Sequence, residues 1–185
     1  MKKILTALIA LALTTLACSV FVGGPSYPAT VIPVSTEAVQ SLQNQVQQSI
    51  ATGTASGTVT LHITEEQITS YLTYYLQTQS NLPITDPQVQ LRDGQMKVFG
   101  KVQEGMLTAN ASMTLAVSVD QNGQPKITIT QEDFGPLPAP QGLNNAISAF
   151  VAQALTGSLG PAATGFRLES ISITDGVMTV TGRVK

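Results

Sequence analysis

Tryptophan is absent from this chain of 185 residues, and cysteine and histidine each occur once. A single cysteine excludes an intramolecular disulfide framework, and one cysteine with one histidine cannot supply the ligand set of a zinc site. The lone histidine, His62, falls on the polar face of a predicted strand, and the chain has no glycine-rich phosphate loop. The sequence therefore predicts no catalytic residues, no metal and no cofactor.

Charged side chains are also scarce. They make up 11% of the chain, against about a quarter in typical soluble domains. Nine basic and eleven acidic residues give a formal net charge of −2, and no basic run exists. Without Lys2 and Lys3, seven basic residues remain and the net charge becomes −4. We therefore expect no nucleic-acid partner and no membrane contact driven by anionic headgroups alone.

The N-terminus has the layout of an export signal. Lys2 and Lys3 form a positive n-region, and residues 4–13 form an apolar run that is too short to span a membrane comfortably. Leu16-Ala17-Cys18 follows and resembles the lipobox of bacterial lipoproteins, in which the cysteine is diacylated and becomes the mature N-terminus. The resemblance implies an extracytoplasmic protein that is anchored to a bacterial membrane by fatty acids, such as palmitate, on Cys18.

An ordinary secretory signal peptide is the alternative, and the protein would then be secreted with a free thiol. Thr15 stands three residues before the cysteine, where lipoboxes usually have an aliphatic residue. The following segment contains Gly-Gly and three prolines, which is typical of a linker. The expected division is a signal peptide at residues 1–17, a lipidated cysteine and linker at residues 18–36, and one domain at residues 37–185.

Three segments have the apolar spacing of an amphipathic helix. They are residues 37–51, 65–79 and 142–156. The first is expected to end in the small-residue run at 51–57. The second has the clearest start, because Thr64 and Gln67 fit a capping box and Ile63 and Ile68 fit a hydrophobic staple.

Residues 107–119 predict an unusually long strand, with an apolar side chain at every odd position. At about 3.3 Å per residue this run would reach roughly 43 Å, whereas common strands have about five or six residues. A strand of this length must twist and coil, so the sheet is expected to wrap around something. Shorter strands are predicted at residues 57–63 and 126–131.

Two segments 82 residues apart, 88–102 and 170–184, share one pattern. Each has alternating apolar residues on both sides of an Asp-Gly pair, Asp93-Gly94 or Asp175-Gly176, which is a strong signal for a hairpin with a type I′ turn. Each also has a glycine on its apolar face, Gly100 or Gly182, which we interpret as a bend or a point of close approach. We predict an α+β fold in which a strongly curved antiparallel sheet wraps one or two amphipathic helices, with a duplicated helix-hairpin unit.

Four segments carry a resemblance to a known family. They are LHITEEQITSYL (61–72), LPITDPQVQLRDGQMKVFGKV (82–102), LPAP (137–140) and FRLESISITDGVMTVTGRV (166–184). From about residue 58 to 185 the chain resembles the LmeA-like phospholipid-binding proteins of bacterial envelopes, which are similar to the tubular lipid-binding fold. The resemblance implies a long curved sheet that wraps a helix and leaves an apolar channel for acyl chains, but it supplies no headgroup motif.

The groove is predicted to be lined by apolar side chains of two helices and of the concave sheet face. These are Ile68, Tyr71, Leu72, Tyr75, Leu76, Val98, Met113, Leu115, Ile147, Phe150, Val151 and Met178. At about 0.8 kcal/mol per buried CH₂, a 16-carbon chain would contribute on the order of 12 kcal/mol gross. Four basic residues on the outer hairpin faces are interpreted as solubilising: Lys97, Lys101, Arg183 and Lys185.

The expected function is a non-enzymatic envelope lipoprotein that binds phospholipid or another acyl-chain lipid, in lipid transport or envelope maintenance. One alternative is a membrane-tethered module with a filled core that binds protein or polysaccharide. Another is a hydrolase, which would need a nucleophile near His62 in three dimensions. The volume of the interior distinguishes the first two, because lipid binding favours a continuous apolar groove.

Overall fold

The structure is a computed structural model that describes residues 19–78, 84–156 and 166–184. The predicted signal peptide at residues 1–17 and the predicted lipidation site, Cys18, lie outside this range. The elements in chain order are β1 (Val20–Phe21), α1 (Thr36–Ser56), β2 (Thr58–Thr64), α2 (Glu65–Gln77), β3 (Ile84–Arg92), β4 (Gln95–Glu104), β5 (Leu107–Val119), β6 (Pro125–Asp133), α3 (Leu143–Thr156), β7 (Phe166–Thr174) and β8 (Val177–Val184). No helix among the described residues is both long and apolar enough to cross a membrane.

The strands form two sheets. In the larger sheet β3, β4 and β5 follow one another, and the far edge of β5 pairs first with β1 and then with β6. The smaller sheet has the order β2-β8-β7. Every pair is antiparallel except β1 with β5, which run parallel. The prediction of an α+β fold with a strongly curled sheet is confirmed, with three helices and mixed rather than purely antiparallel pairing.

The curl has a local cause in the strand pairing. The register shifts once in each of three antiparallel pairs, because one strand of the pair has an extra residue. The extra residue lies in β3 between Thr85 and Gln88, in β6 opposite Thr114, and in β7 after Leu168. An extra residue on one strand bends it and increases the right-handed twist. The long strand β5 has the predicted 13 residues, and the shift in β6 lets that partner bend with it.

Both hairpins turn at the predicted Asp-Gly pairs, but the two turns differ. Asp93 and Gly94 have φ values of 53° and 76°, as a type I′ turn requires. In the second turn only Gly176 has positive φ, at 83°, so the prediction of type I′ geometry is wrong there. The Gly176 N–H donates to the Leu91 carbonyl at 3.0 Å, and its carbonyl accepts from the Glu65 N–H at 3.2 Å. These bonds orient the turn and join the two sheets.

The predicted start of α2 is confirmed. The Thr64 hydroxyl accepts a hydrogen bond from the Gln67 N–H at 3.3 Å, and the Gln67 side chain accepts one from the Thr64 N–H at 3.0 Å. Both residues of the predicted staple, Ile63 and Ile68, are buried. Because this signal is local in sequence, it is readable without knowledge of the tertiary structure.

Helix α1 extends past its predicted end at residue 51, through most of the small-residue run. It continues to Ser56 and ends at Gly57, which has φ of 77° and donates its N–H to the Gly53 carbonyl at 2.7 Å. A Cβ atom at Gly53 would lie 2.1 Å from Cγ2 of Val59. Gly53 therefore lets the helix pack closely on β2, and this packing offsets the low helix propensity of the run.

Side chains of α2 cover the outer edge of β3. The Val89 N–H donates to the Thr69 hydroxyl at 3.0 Å, and the Leu91 N–H donates to Glu65 Oε1 at 2.6 Å. Glu65 and Thr69 are one helical turn apart, about 6 Å, while Val89 and Leu91 are two strand residues apart, about 6.6 Å. The helix thus satisfies donors that an edge strand would otherwise leave open.

Replacing Thr69 by valine is expected to lower the free energy of unfolding by about 1–3 kcal/mol, because the buried Val89 N–H loses its acceptor. Thr69→Ser is the matched control, since it keeps the hydroxyl. Denaturant unfolding of the two variants measures the difference. A larger loss in Thr69→Ser than in Thr69→Val would mean that the threonine methyl group, and not the hydrogen bond, matters at this position.

Residues 19–34, which the sequence assigned to a linker, lie against the larger sheet. Beyond β1, the Asn110 N–H donates to the Gly23 carbonyl at 2.9 Å. The ring of Tyr27 packs on Phe99 with centroids 6.2 Å apart, so Phe99 is buried on the outer sheet face. Ile32 and Gln88 exchange two hydrogen bonds, at 2.6 and 3.2 Å. This segment covers the outer face of β3 and β4.

Candidate functional site

All twelve residues predicted to line a groove belong to one apolar layer between the curled sheet and helices α2 and α3. Ten of them are buried, and Tyr71 and Tyr75 are half-buried at its edge. Sequence periodicity therefore identified a set of side chains that the fold does bring together. Whether this layer holds a lipid depends on the space inside it.

Beneath α3 the described residues pack closely. Between α3 and the sheet remains a void of about 10 Å³, bordered by Ile84, Val98, Gly100, Met113 and Ile147 among others. Ligand pockets usually have volumes of about 300–1,000 Å³. At this point the described residues leave no room for an acyl chain, which could enter here only if side chains or α3 moved.

Helix α3 is the element that closes the layer. Phe150 packs against Tyr71 and Tyr75 of α2, with ring centroids 5.6 and 5.3 Å apart. Between described residues, one side-chain hydrogen bond joins α3 to the sheet, from Asn144 Nδ2 to Glu132 Oε2 at 3.1 Å. The other contacts between these residues of α3 and the sheet are apolar, and apolar contacts with an acyl chain can take their place.

A second concavity of about 760 Å³ lies outside the sheet, between residues 27–34, the end of α2 and the start of β3. We call it the outer cleft. Its apolar wall includes Tyr27, Val31, Ile32, Val34, Leu76 and Ile84. Of the predicted groove residues, only Leu76 lines it. Sequence reasoning missed this cleft because residues 18–36 were assigned to a linker, although three apolar residues at 31–34 were a signal against that assignment.

One end of the outer cleft is polar. Lys101 Nζ lies 2.8 Å from Asp86 Oδ2 and 6.0 Å from the centroid of the Tyr27 ring. The Tyr27 hydroxyl donates a short hydrogen bond to the Asp86 carbonyl. Burial, and secondarily the negative charge of Asp86, raises the pKa of Tyr27 to about 12, so the hydroxyl remains a donor at neutral pH. The cleft therefore combines an apolar wall with a cation and a fixed hydroxyl.

The side chain of Ile84 separates the outer cleft from the inner layer, because it borders both the cleft and the void. It occupies the space that Gly100 leaves free, since a Cβ atom at Gly100 would lie 2.8 Å from Cδ1 of Ile84. The interpretation of Gly100 as a point of close approach is therefore confirmed. One side chain stands between a surface cleft and the apolar interior.

His62 has no catalytic surroundings in the part of the chain that the structure describes. Its Nδ1 lies 3.1 Å from the Thr179 hydroxyl on the neighbouring strand, and no carboxylate contacts the ring. The same residues contain no group of three or more His, Cys, Asp or Glu that could hold a metal ion. The Thr179 hydroxyl lies beside His62, but among these residues no carboxylate completes a Ser-His-Asp type of arrangement for the hydrolase alternative.

A third concavity, of about 460 Å³, lies between α1 and α2. It is lined by Tyr71, Tyr74 and Tyr75 on α2 and by Val39 and two glutamines on α1. Burial, with a smaller contribution from Tyr75, raises the pKa of Tyr71. Half-buried aromatic rings beside amide side chains are suited to contacts with partly polar, partly apolar ligands.

Comparisons with known proteins point to one family. A model described as LmeA-like phospholipid-binding matches residues 25–183. No curated protein matches the sequence. Among solved structures, a crystal structure of lipopolysaccharide binding protein aligns with 80% of this chain at 11% identity and a TM-score of 0.27. The chain covers 46% of that protein's length, and a likeness this low does not establish a shared fold.

Proposed function

The chain belongs to the LmeA-like phospholipid-binding family, and we propose from this that it binds a phospholipid non-covalently, without an enzymatic step. The observation that carries the proposal is the extent of the match, residues 25–183, which includes all three helices, both hairpins and most of the segment that forms the outer cleft. A further support is that the site combines an apolar interior with a polar cleft at its side.

We place the headgroup in the outer cleft, at Lys101 and Tyr27. The Lys101–Asp86 pair is largely exposed, so it contributes only about 0–1 kcal/mol. A lipid phosphate can replace Asp86 as the partner of Lys101 at little cost. The Tyr27 hydroxyl would supply a second donor by exchanging its hydrogen bond to the Asp86 carbonyl for one to the phosphate. These two groups select for a phosphate-bearing lipid, but they do not distinguish among headgroups.

The acyl chain would pass Ile84 and enter the layer under α3. Each buried CH₂ contributes about 0.8 kcal/mol, so the chain dominates the gain in free energy. The cost is the movement of Ile84 and the outward shift of α3, whose contacts are mainly apolar and would be replaced by contacts with the lipid. A filled layer in the lipid-free protein is consistent with this, since an empty apolar cavity would be destabilising.

The cellular role belongs to the same proposal. Residues 1–17 would direct export, Cys18 would carry the lipid anchor, and the domain would act in lipid transport or envelope maintenance outside the cytoplasm. The duplicated helix-hairpin unit, α2 with β3–β4 and α3 with β7–β8, would give the acyl site two related walls. The common two-residue turns, Arg92↔Gln95 and Thr174↔Val177, support that relationship.

The absence of tryptophan makes a direct test possible, because any introduced tryptophan is the only one. In Phe150→Trp, the reporter lies in the apolar layer. Bound phospholipid with brominated acyl chains is expected to quench its fluorescence strongly, and native mass spectrometry should show a matching mass. Gln48→Trp on the exposed face of α1 is the control and should not be quenched. No quenching of the interior reporter and no bound lipid would refute the proposal.

A membrane-tethered module that binds polysaccharide is the second candidate. The filled interior and the tyrosine-lined groove between α1 and α2 favour it. Under this candidate, Tyr74→Ala would abolish retention of the protein on envelope polysaccharide. Phe150→Trp would then remain unquenched, so the two functions give opposite results in the same pair of experiments.

A further inference from the structure

Six large apolar side chains are exposed among the described residues, and they fall into two groups. Val31 and Val34 line the outer cleft. The other four are Val20, Phe21, Met106 and Leu107, with 54%, 60%, 68% and 40% of their surfaces exposed. These four lie at the tip of the β4–β5 hairpin, and we call them the tip patch.

Backbone pairing holds the tip patch together although its members are far apart in sequence. β1 runs parallel to the start of β5, with Val20 opposite Leu107. The Val20 N–H donates to the Met106 carbonyl at 2.7 Å. Phe21 lies opposite Thr108, one residue further along the strand. The patch is therefore a built surface at one end of the sheet.

The composition of the tip is unusual for a hairpin turn. Gly105 provides the positive φ of 60° that the turn needs, but the next two residues are Met106 and Leu107 where polar residues are usual. Glu104 is the one charged residue at the tip, so the patch does not attract an acidic surface. Methionine is flexible and suits irregular apolar contacts. An apolar group that the fold leaves uncovered indicates a partner.

We propose that the tip patch inserts into the surface of a phospholipid bilayer. The position of the chain before the patch argues for this partner. Cys18 lies two residues before Val20, so their separation is at most about 7 Å, and residues 4–13 form the apolar run of the export signal. Export and anchoring would both bring membrane lipid to this end of the sheet, a point that rests on the anchor assigned under the proposed function.

Docking of the tip would also orient the outer cleft. Lys101 lies three residues before Glu104 on β4, a distance of about 10 Å along the strand. The polar layer of one leaflet is about 5–8 Å thick. With the tip patch in the acyl region, the polar end of the cleft would lie close to the headgroups. A phospholipid could then move from the bilayer into the cleft over a short distance.

The proposed contact between the tip patch and the bilayer is apolar, so its strength should depend little on salt concentration or on the fraction of anionic lipid. This sets it apart from attraction through basic residues, which weakens as the salt concentration rises. Removal of large apolar side chains from the tip should weaken vesicle binding on the order of tenfold per residue.

The test uses the exported full-length chain in a Cys18→Ala background, so that no lipid anchor contributes. Phe21→Trp places the only tryptophan in the tip patch. Vesicles of phosphatidylcholine brominated at different depths are expected to quench it, most strongly for bromine near the headgroup, with little effect of salt. A double variant, Met106→Ser with Leu107→Ser, should reduce vesicle binding at least tenfold, and its unchanged circular dichroism would verify the fold.

The outcomes separate this inference from the proposed function. Quenching of Phe21→Trp without quenching of Phe150→Trp supports docking and refutes interior lipid binding. Quenching of Phe150→Trp alone overturns docking through the tip patch. Docking is also overturned if sedimentation without vesicles shows a dimer that the double serine variant lacks, because a second copy of the chain would then cover the patch.

Discussion

Leu115→Ala is expected to lower the free energy of unfolding by about 3–5 kcal/mol, because truncation of a fully buried leucine removes transfer energy and leaves a cavity. Leu115 is fully buried in the middle of β5, where it lies opposite Met96 on one side and Ile129 on the other. Leu115 lies in the apolar layer between the curled sheet and the helices, so neighbouring side chains cannot easily close the cavity that its truncation leaves. Chemical unfolding of the lipid-free protein measures the loss.

The same variant tests the proposed lipid site. A cavity in the apolar layer enlarges the space for an acyl chain, and a ligand that binds only the folded protein stabilises it by RT ln(1 + [L]/Kd). Added phospholipid should therefore recover more stability in Leu115→Ala than in the unmodified chain. Ser118→Ala, on the same strand but exposed and outside both the apolar layer and the tip patch, is the control and should change stability by less than about 0.5 kcal/mol. Equal recovery in all three proteins would contradict binding in this layer.

Glu65→Ala is expected to cost about 2–4 kcal/mol, since one carboxylate has three roles at the start of α2. It accepts the Leu91 N–H at 2.6 Å, forms a short ion pair with Arg92, and lies in the first helical turn, where negative charge is favourable. The partly buried Leu91 N–H would lose its acceptor, which alone costs about 1–3 kcal/mol. The exposed ion pair adds at most about 1 kcal/mol.

Glu66→Ala is the matched control for this prediction. Glu66 is exposed and lies in the same turn of α2, and from the described residues its carboxylate accepts one hydrogen bond, from the Ser35 hydroxyl at 3.4 Å. Its removal should cost well under 1 kcal/mol. Hydrogen exchange at Leu91 gives a local measurement, and faster exchange is expected in Glu65→Ala alone. Similar losses in the two variants would show that helix-terminus charge, rather than the contact with β3, explains the effect.

The parts of the fold that follow from local sequence were predictable. The capping box at Thr64, the 13 alternating residues of β5 and the register around Asp93-Gly94 depend on neighbours within a few positions. The extension of α1 from residue 51 to Ser56 did not follow, because it depends on packing of Gly53 against Val59. The conformation of the second turn depends on hydrogen bonds from Gly176 to residues far away in sequence.

Which residues form the candidate site could be predicted from the sequence, but the volume of the space between them could not. Alternation and helical spacing identify which side chains face inward, and all twelve predicted residues share one layer. Spacing carries no information on how closely two faces approach, so the void of about 10 Å³ could not be foreseen. The outer cleft was missed because its wall depends on residues 27–34 folding back over strands some 60 residues later.

The parallel pairing of β1 with β5 has a mechanical consequence if Cys18 is anchored. Force on the anchor would pull β1 along its own axis. Four hydrogen bonds follow one another along this junction, from the Val20 N–H to the Met106 carbonyl, from the Val22 N–H to the Thr108 carbonyl, and from the backbone and side chain of Asn110 to the Gly23 and Pro25 carbonyls. Such a load acts on the bonds in shear, so they resist together instead of opening one at a time. A domain tethered in this way would resist drag at the membrane without losing the wall of its cleft.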